Sequence, residues 1–291
     1  LIFLRKKRCS RLLNFLKMKD ILPEQKIKIT KDLIQEVIKI SKQAGNAIME
    51  VYQTDFDIQI KPDLSPVTQA DKTANLIIEN GLNGLDHTIP ILSEEGRDII
   101  YAERKKWTTF WLVDPLDGTK DFIKKKGEFT VNIALVENQV PIFGVVYAPA
   151  YDLLFWGSLE KGAWKKEADN PAQSMTVASK IDKTVLIAAS RSHPSEKMKA
   201  FLLQFKKYEL QPMGSSLKIC LVSDGSVHLY PRLGPTMEWD TAAAHAVLKS
   251  AGGDIIKVGT SSSLRYNKRE LINPEFIAGK RSIIMDLDTT N

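Results

Sequence analysis

Trp111-Leu-Val-Asp-Pro-Leu-Asp-Gly-Thr119 decides how the rest of this 291-residue chain is read. Trp111 to Val113 is a short apolar run that predicts a buried strand stopping at Asp114-Pro115. Asp117-Gly118-Thr119 then turns the chain. Two carboxylates at the end of a rigid strand, across a proline-set turn, point into one small volume, where their charges repel unless a cation lies between them. Hard oxygen ligands of this kind suit Mg²⁺, which is held by few carboxylates and keeps positions for water and phosphate. Gly118 lets the backbone come close, and the amides of Gly118 and Thr119, opening a short helix, would bind an anion.

Two other readings compete for the same residues. One is an exposed Asp-Pro-x-Asp-Gly turn without chemistry. The other is a phosphatase whose Asp-x-Asp-Gly-Thr uses its first Asp as nucleophile; here one extra residue separates the carboxylates and places them differently.

With 43% hydrophobic residues, a chain of this length buries a full core, as one large domain or two packed lobes. Its net charge of +6 is local: Arg5, Lys6, Lys7, Arg8, Arg11 and Lys17 account for it, and residues 1–17 hold no acid. The remaining chain is balanced, which argues against a nucleic-acid-binding body. Residues 1–17 start at Leu1 and precede Met18, so they are expected to be a basic tail, disordered or non-native. Leu12, Leu13, Phe15 and Leu16 interleave with the charges and give the alternative of a peripheral segment on the cytoplasmic face of the inner membrane. No stretch approaches the ~18 apolar residues of a membrane span. Cys9 and Cys220 are the only cysteines, which gives neither a disulfide framework nor a zinc pattern and fits a cytoplasmic protein.

Helical spacing from about Thr30 to Tyr52 is followed by a short strand at Phe56 to Lys61 and a second helix through Ala74, Ile77 and Ile78. Thr68 and Asp71 stand at capping-box spacing, so a helix cap is the plain role for Asp71. Pro90 to Gly96 reads as a brief strand ending in acids. Phe129 to Val136, Val140 to Tyr147 and Leu153 to Ser158 read as an antiparallel meander. Beyond Ser174 come a strand at Val185 to Ala189, a helix from Pro194 to Phe205 and a helix opened by Gly214-Ser-Ser. A strand at Val227 to Tyr230, a helix from Trp239 to Gly252 and closing strands at Asp254 to Val258 and Leu271 to Ala278 complete the chain.

Ser-Glu-Glu-Gly (93 to 96), Asp-Pro-Leu-Asp-Gly-Thr (114 to 119) and Trp-Asp-Thr-Ala-Ala (239 to 243) together resemble the inositol monophosphatase superfamily. The resemblance covers Met18 to the C-terminus. It implies a layered α/β fold, the αβαβα sandwich of the inositol monophosphatase and sugar phosphatases, with two lobes and the active site in the cleft between them. Residues 18–173 would form the lobe with the metal site and 174–291 the lobe with the nucleotide-binding residues. The activity implied is a Mg²⁺-dependent, lithium-sensitive phosphatase. Lys61-Pro-Asp-Leu-Ser-Pro-Val-Thr-Gln-Ala-Asp71, Ser190-Arg-Ser-His193, Gly214-Ser-Ser-Leu-Lys218 and Leu229-Tyr-Pro-Arg-Leu-Gly-Pro235 are similar, more narrowly, to the CysQ-type 3'(2'),5'-bisphosphate nucleotidases. That resemblance implies hydrolysis of 3'-phosphoadenosine 5'-phosphate, a by-product of sulfate activation and transfer, to AMP and phosphate.

Carried over to this sequence, the resemblance makes Glu94, Asp114, the Leu116 carbonyl, Asp117 and Asp240 the ligands of about two or three Mg²⁺ ions. Asp71, Thr119 and Glu94 would be catalytic, the first two orienting and deprotonating the attacking water. Gly118, Thr119, His193, Ser215, Lys218, Arg232 and Asp240 would face the substrate, a small-molecule nucleotide, in a monomer or homodimer. His193 has the alternative of a satisfied loop histidine. The chemistry is sound on its own terms: an anionic phosphate ester needs its charge neutralised and its nucleophile activated. The second phosphate needs cations away from the metals, which Lys218 and Arg232 can supply. Two rival functions remain, an inositol or sugar phosphatase on the same scaffold and a non-catalytic phosphate- or metal-binding protein. The intact carboxylates argue against the second.

Overall fold

The computed structural model describes residues 27–60, 66–191 and 195–288, and every element below lies from Lys31 onward. The basic stretch 1–17, with the tail or membrane-surface role expected of it, lies outside the described residues, and so does His193.

Helix α1 (Lys31–Tyr52) gathers Ile34, Val37, Ile40, Ala44 and Ile48 on one buried face. A two-stranded ladder of β1 (Ile58–Ile60) and β2 (Pro66–Thr68) leads straight into α2 (Gln69–Leu85), which buries Ala74, Ile78 and Leu82. The two helices meet where Gly81 has no side chain; a Cβ there would stand 2.7 Å from Ile40 Cγ1.

The next segment supplies β3 (Ile91–Ser93), α3 (Tyr101–Arg104), β4 (Thr109–Asp117), α4 (Thr119–Ile123), β5 (Thr130–Glu137), β6 (Val140–Ala148), β7 (Leu153–Ser158), β8 (Gly162–Glu167) and β9 (Gln173–Met175). Its strands form a seven-stranded sheet in chain order, with β3 parallel to β4 and every other pair antiparallel. The expected three-strand meander therefore extends through β8 and β9. Both escaped the sequence reading because Lys165, Lys166, Glu167, Gln173 and Ser174 break the apolar pattern. Strand β4 also runs further than expected. It does not stop at Asp114-Pro115 but passes through a bulge to Asp117, where Pro115 is tolerated because the ladder is interrupted.

The rest of the chain supplies β10 (Val185–Ala189), α5 (Glu196–Leu202), β11 (Tyr208–Pro212), α6 (Leu217–Ser223), β12 (Leu229–Arg232), α7 (Trp239–Ser250), β13 (Asp254–Lys257), β14 (Phe276–Gly279) and α8 (Arg281–Asp288). A second sheet has the order β11-β10-β12-β14-β13, with β10 parallel to both β11 and β12 and β14 antiparallel to its neighbours. Alternate residues of these strands enter different cores. Ala188, Ile255 and Phe276 face α6 and α7, while Ile187, Ile256 and Ile277 join Phe201 of α5 and Ile283 of α8. Both faces are covered, hence the unbroken apolar runs.

The seven-stranded sheet is covered on both sides as well. On β6 a Cβ at Gly144 would stand 2.3 Å from the Ala243 carbonyl of α7, whereas Tyr147, on the opposite face, abuts Gly45 of α1. The layers are thus α1 and α2, first sheet, α6 and α7, second sheet, α5 and α8: the expected αβαβα sandwich. Of the run expected at Leu271 to Ala278 only the end, from Phe276, belongs to a named strand, which continues to Gly279. Edge strand β11 is exposed throughout, and its short Tyr208-Glu-Leu-Gln-Pro212 run was not assigned from the sequence. No described helix is long and apolar enough to cross a membrane.

Candidate active site

The bulge in β4 decides where its carboxylates point. Asp114 pairs with Asn132 and Asp117 with Thr130, so the chain advances three residues against two on β5. Asn132 and Thr130 share a face of β5, and the inserted residue brings Asp114 and Asp117 to that same face. Gly118 then turns at φ 94, where a Cβ would lie 3.0 Å from the Glu128 carbonyl, and α4 begins at Thr119. The Leu116 amide donates to Asp114 Oδ1 at 3.1 Å. Asp114 Oδ2 is buried without any hydrogen-bond partner among the described residues.

Two further acids approach Asp114, one from the neighbouring strand and one from the helical layer above. Glu94 follows β3, its amide bonded to the Val113 carbonyl at 3.1 Å, and Asp240 sits in the first turn of α7. One carboxylate oxygen from each of Glu94, Asp114 and Asp240 lies within 4.8 Å of the others. Asp117 lines the same cavity but is held differently. Its Oδ2 accepts from Ser215 Oγ at 2.7 Å, Ser216 N at 2.7 Å and Ser216 Oγ at 3.0 Å.

Burial first, then the charges of Glu94, Asp117 and Asp240, push the Asp114 carboxyl well above the usual range. Asp240 is pushed up to about 8, again by burial first and by Asp117 next. Converging all-oxygen donors, mutual repulsion and a bare buried carboxylate oxygen are what a hard dication would relieve, and the residues present fit Mg²⁺. Soft-metal chemistry is disfavoured by the absence of His or Cys from the group.

Asp71 performs the capping role and faces the site as well. Its Oδ2 accepts from Thr68 N and Thr68 Oγ1, both at 2.7 Å, which closes a capping box on α2. Its Oδ1 accepts from Thr119 Oγ1 at 3.1 Å, and the Leu116 carbonyl lies 3.2 Å from the same hydroxyl. Burial raises the Asp71 carboxyl despite these bonds. The two readings weighed for Asp71 are compatible because it has two oxygens.

Three of the residues expected to face a nucleotide, Ser215, Lys218 and Arg232, line the cavity that holds these carboxylates. Ser215, at φ 53, touches Thr130 Oγ1 at 2.5 Å and Asp117. Lys218 is only 7% exposed; its ammonium donates to the Ser215 carbonyl at 2.8 Å, and burial pulls it down to about 8. Arg232, ending β12, donates to the Pro235 carbonyl at 2.8 Å. A cavity of about 530 Å³ contains Glu94, Asp114, Asp117, Thr119, Lys218 and Asp240. A second, of about 560 Å³, is walled by apolar groups such as Met198, Leu210, Pro212 and Tyr230.

Sequence reasoning missed three contributors. Ser216 bonds Asp117 and, through its hydroxyl, the Asp240 carbonyl at 2.7 Å, tying two predicted ligands together; its place beside Ser215 was the available signal. Asn132 holds Ser216 Oγ at 2.9 Å. Arg191 pairs with Glu128 across the cavity wall, a contact no local pattern announces.

The model of the "Inositol monophosphatase family" matches residues 30–287. A Buchnera aphidicola protein named 3'(2'),5'-bisphosphate nucleotidase CysQ is 41% identical over 255 residues, which cover 86% of this chain and 94% of that protein. The protein of the same name in Escherichia coli (strain K12) is 43% identical over 247 residues, 84% of this chain and 98% of that one. Among solved structures, CysQ from Bacteroides thetaiotaomicron, described as a bacterial member of the inositol monophosphatase family, aligns with a TM-score of 0.76 at 40% identity. It covers 85% of this chain and 96% of that chain.

Proposed function

The chain belongs to the inositol monophosphatase family, and on that premise we propose that it is a metal-dependent 3'(2'),5'-bisphosphate nucleotidase. It removes the 3'-phosphate of 3'-phosphoadenosine 5'-phosphate and leaves AMP, as the names of its relatives suggest. One observation carries the reading: an oxygen-rich cavity with a bare buried carboxylate oxygen adjoins an apolar cavity of nucleoside size.

Glu94, Asp114, Asp117, Asp240 and the Leu116 carbonyl would hold about two or three Mg²⁺ ions. When bound, the metal neutralises the phosphoryl oxygens and makes water a better nucleophile. The Thr119 hydroxyl, 3.1 Å from Asp71 Oδ1, holds that water and passes its proton toward Asp71, whose raised carboxyl is suited to accept it. The Gly118 and Thr119 amides cradle the phosphate. Ser215, Lys218, Arg232 and His193 contact the nucleotide. In the same reading residues 18–173 and 174–291 are the two lobes, and the enzyme works in the cytoplasm as a monomer or homodimer.

Phosphate release from 3'-phosphoadenosine 5'-phosphate and from inositol monophosphate, with and without Mg²⁺, tests the proposal. Mg²⁺-dependent turnover of the nucleotide is expected, lost in Asp114→Asn with the fold retained. Preference for inositol monophosphate would reject the substrate, and full turnover by Asp114→Asn would reject the ligand set.

A further inference from the structure

The carboxylate-lined cavity and the apolar cavity share Ser190, Arg191 and Arg232 in their walls. A molecule with its ester among the carboxylates and its flat apolar part against Leu210 and Tyr230 must pass these guanidiniums. The cations around it differ in how they are held. Lys218 is buried and engaged with the Ser215 carbonyl and the Tyr230 ring, while Arg232 is engaged with the Pro235 carbonyl. Lys120 and Lys124 are exposed, with long stems to immobilise.

Arg191 is half exposed and yet fixed. Its Nε donates to Glu128 Oε2 at 3.0 Å and its Nη2 to Glu128 Oε1, a two-point grip on one edge of the fork. Glu128 is buried, and Gly214 packs against it so closely that a Cβ would stand 2.8 Å from Glu128 Cβ. Arg191's hydrogen bond holds the Glu128 carboxyl below its ordinary value, so the anchor stays charged near neutral pH. A fork pinned along one edge aims its remaining N–H groups with little entropy left to lose on binding.

We propose that Arg191, oriented by Glu128, recognises the second, non-scissile phosphate of the substrate and thereby separates nucleoside bisphosphates from monophosphates. This rests on the nucleotidase reading above. The pair carries no net charge, so it discriminates at contact, through directed N–H bonds to a phosphate dianion, rather than by long-range attraction.

Steady-state kinetics with 3'-phosphoadenosine 5'-phosphate and with 3'-AMP test the assignment. Arg191→Ala is expected to raise KM for the bisphosphate about 30-fold with kcat kept, and to leave KM for 3'-AMP unchanged. Arg191→Lys recovers part of the difference, and Glu128→Gln alone gives a smaller rise confined to the bisphosphate. Because Arg191→Ala leaves a buried carboxylate without its partner, the double variant Arg191→Ala/Glu128→Gln is measured beside it and should show the same selectivity loss. Equal losses on both substrates, or an unchanged ratio of the two KM values, overturn the assignment. A wild-type enzyme that hydrolyses neither nucleotide rejects the nucleotidase reading and this assignment with it.

Discussion

Mg²⁺ binding should tighten with pH by an amount that the burial of Asp240 sets. In the metal-free protein burial and the neighbouring Asp117 push Asp240 up to about 8, and Asp114 stands well above the carboxylate range. Near pH 6 the Asp240 proton is therefore present in about 99 of 100 molecules, and near pH 8 in about half. A cation needs the ionised oxygen, so binding expels that proton and the dissociation constant falls about tenfold from pH 6 to pH 7, flattening near pH 8. Asp114, raised in the same direction, adds to the steepness. An acid raised in the folded state destabilises that state once the unfolded chain would ionise. The metal-free protein should thus melt progressively lower as pH rises from about 5 to about 8, and added Mg²⁺ should remove the trend. Titration calorimetry with MgCl₂ in buffers of different ionisation enthalpy counts the protons directly, and Asp240→Asn should release about one fewer. A dissociation constant that stays flat across this range, with no proton released, would refute the claim that these acids share one buried volume.

Other expectations follow from single contacts. Thr119→Ala removes the hydroxyl bonded to Asp71 and should lower kcat about 10²- to 10⁴-fold without moving the melting temperature. Asp71→Ala should lower kcat comparably and also destabilise the fold by about 1 kcal/mol, because its other oxygen caps α2; an unshifted melting curve would contradict the double role. Gly144→Ala drives a Cβ against the Ala243 carbonyl and should cost about 3 kcal/mol in urea denaturation, and a stability equal to wild type would contradict that close approach. Burial opposes ionisation of Asp254, but hydrogen bonds from His245 and Ser263 outweigh it and hold the carboxyl below its usual value. A depressed acid stabilises above about pH 4 and loses that contribution on acidification, so Asp254→Asn should melt lower at neutral pH and show a flatter acid limb.

The parts of the site readable from sequence are those whose cause is local. The apolar run before Asp114 announced a buried strand, Thr68 and Asp71 announced a cap, and the turn at Gly118 announced a close backbone. The bulge was not readable, because an extra residue in β4 exists only relative to its partner β5. The pairing of Asp71 with Thr119 was expected only from the family resemblance, because no local pattern shows Thr119 arriving from another element. Lys218 was expected as a cation facing the substrate, but its burial was not legible; α6 packs it into the interior, where burial lowers its affinity for a proton. Exposed strand β11 and the Arg191–Glu128 pair are likewise products of tertiary placement rather than of pattern.

The uneven pairing of Asp114 with Asn132 and Asp117 with Thr130 has an evolutionary consequence. Losing a single codon from this segment would rotate Asp117 to the side of the sheet that faces α1, out of reach of Ser215 and Ser216. A deletion in this segment would therefore dismantle the site, whereas the exposed loop at 168–172 can absorb insertions.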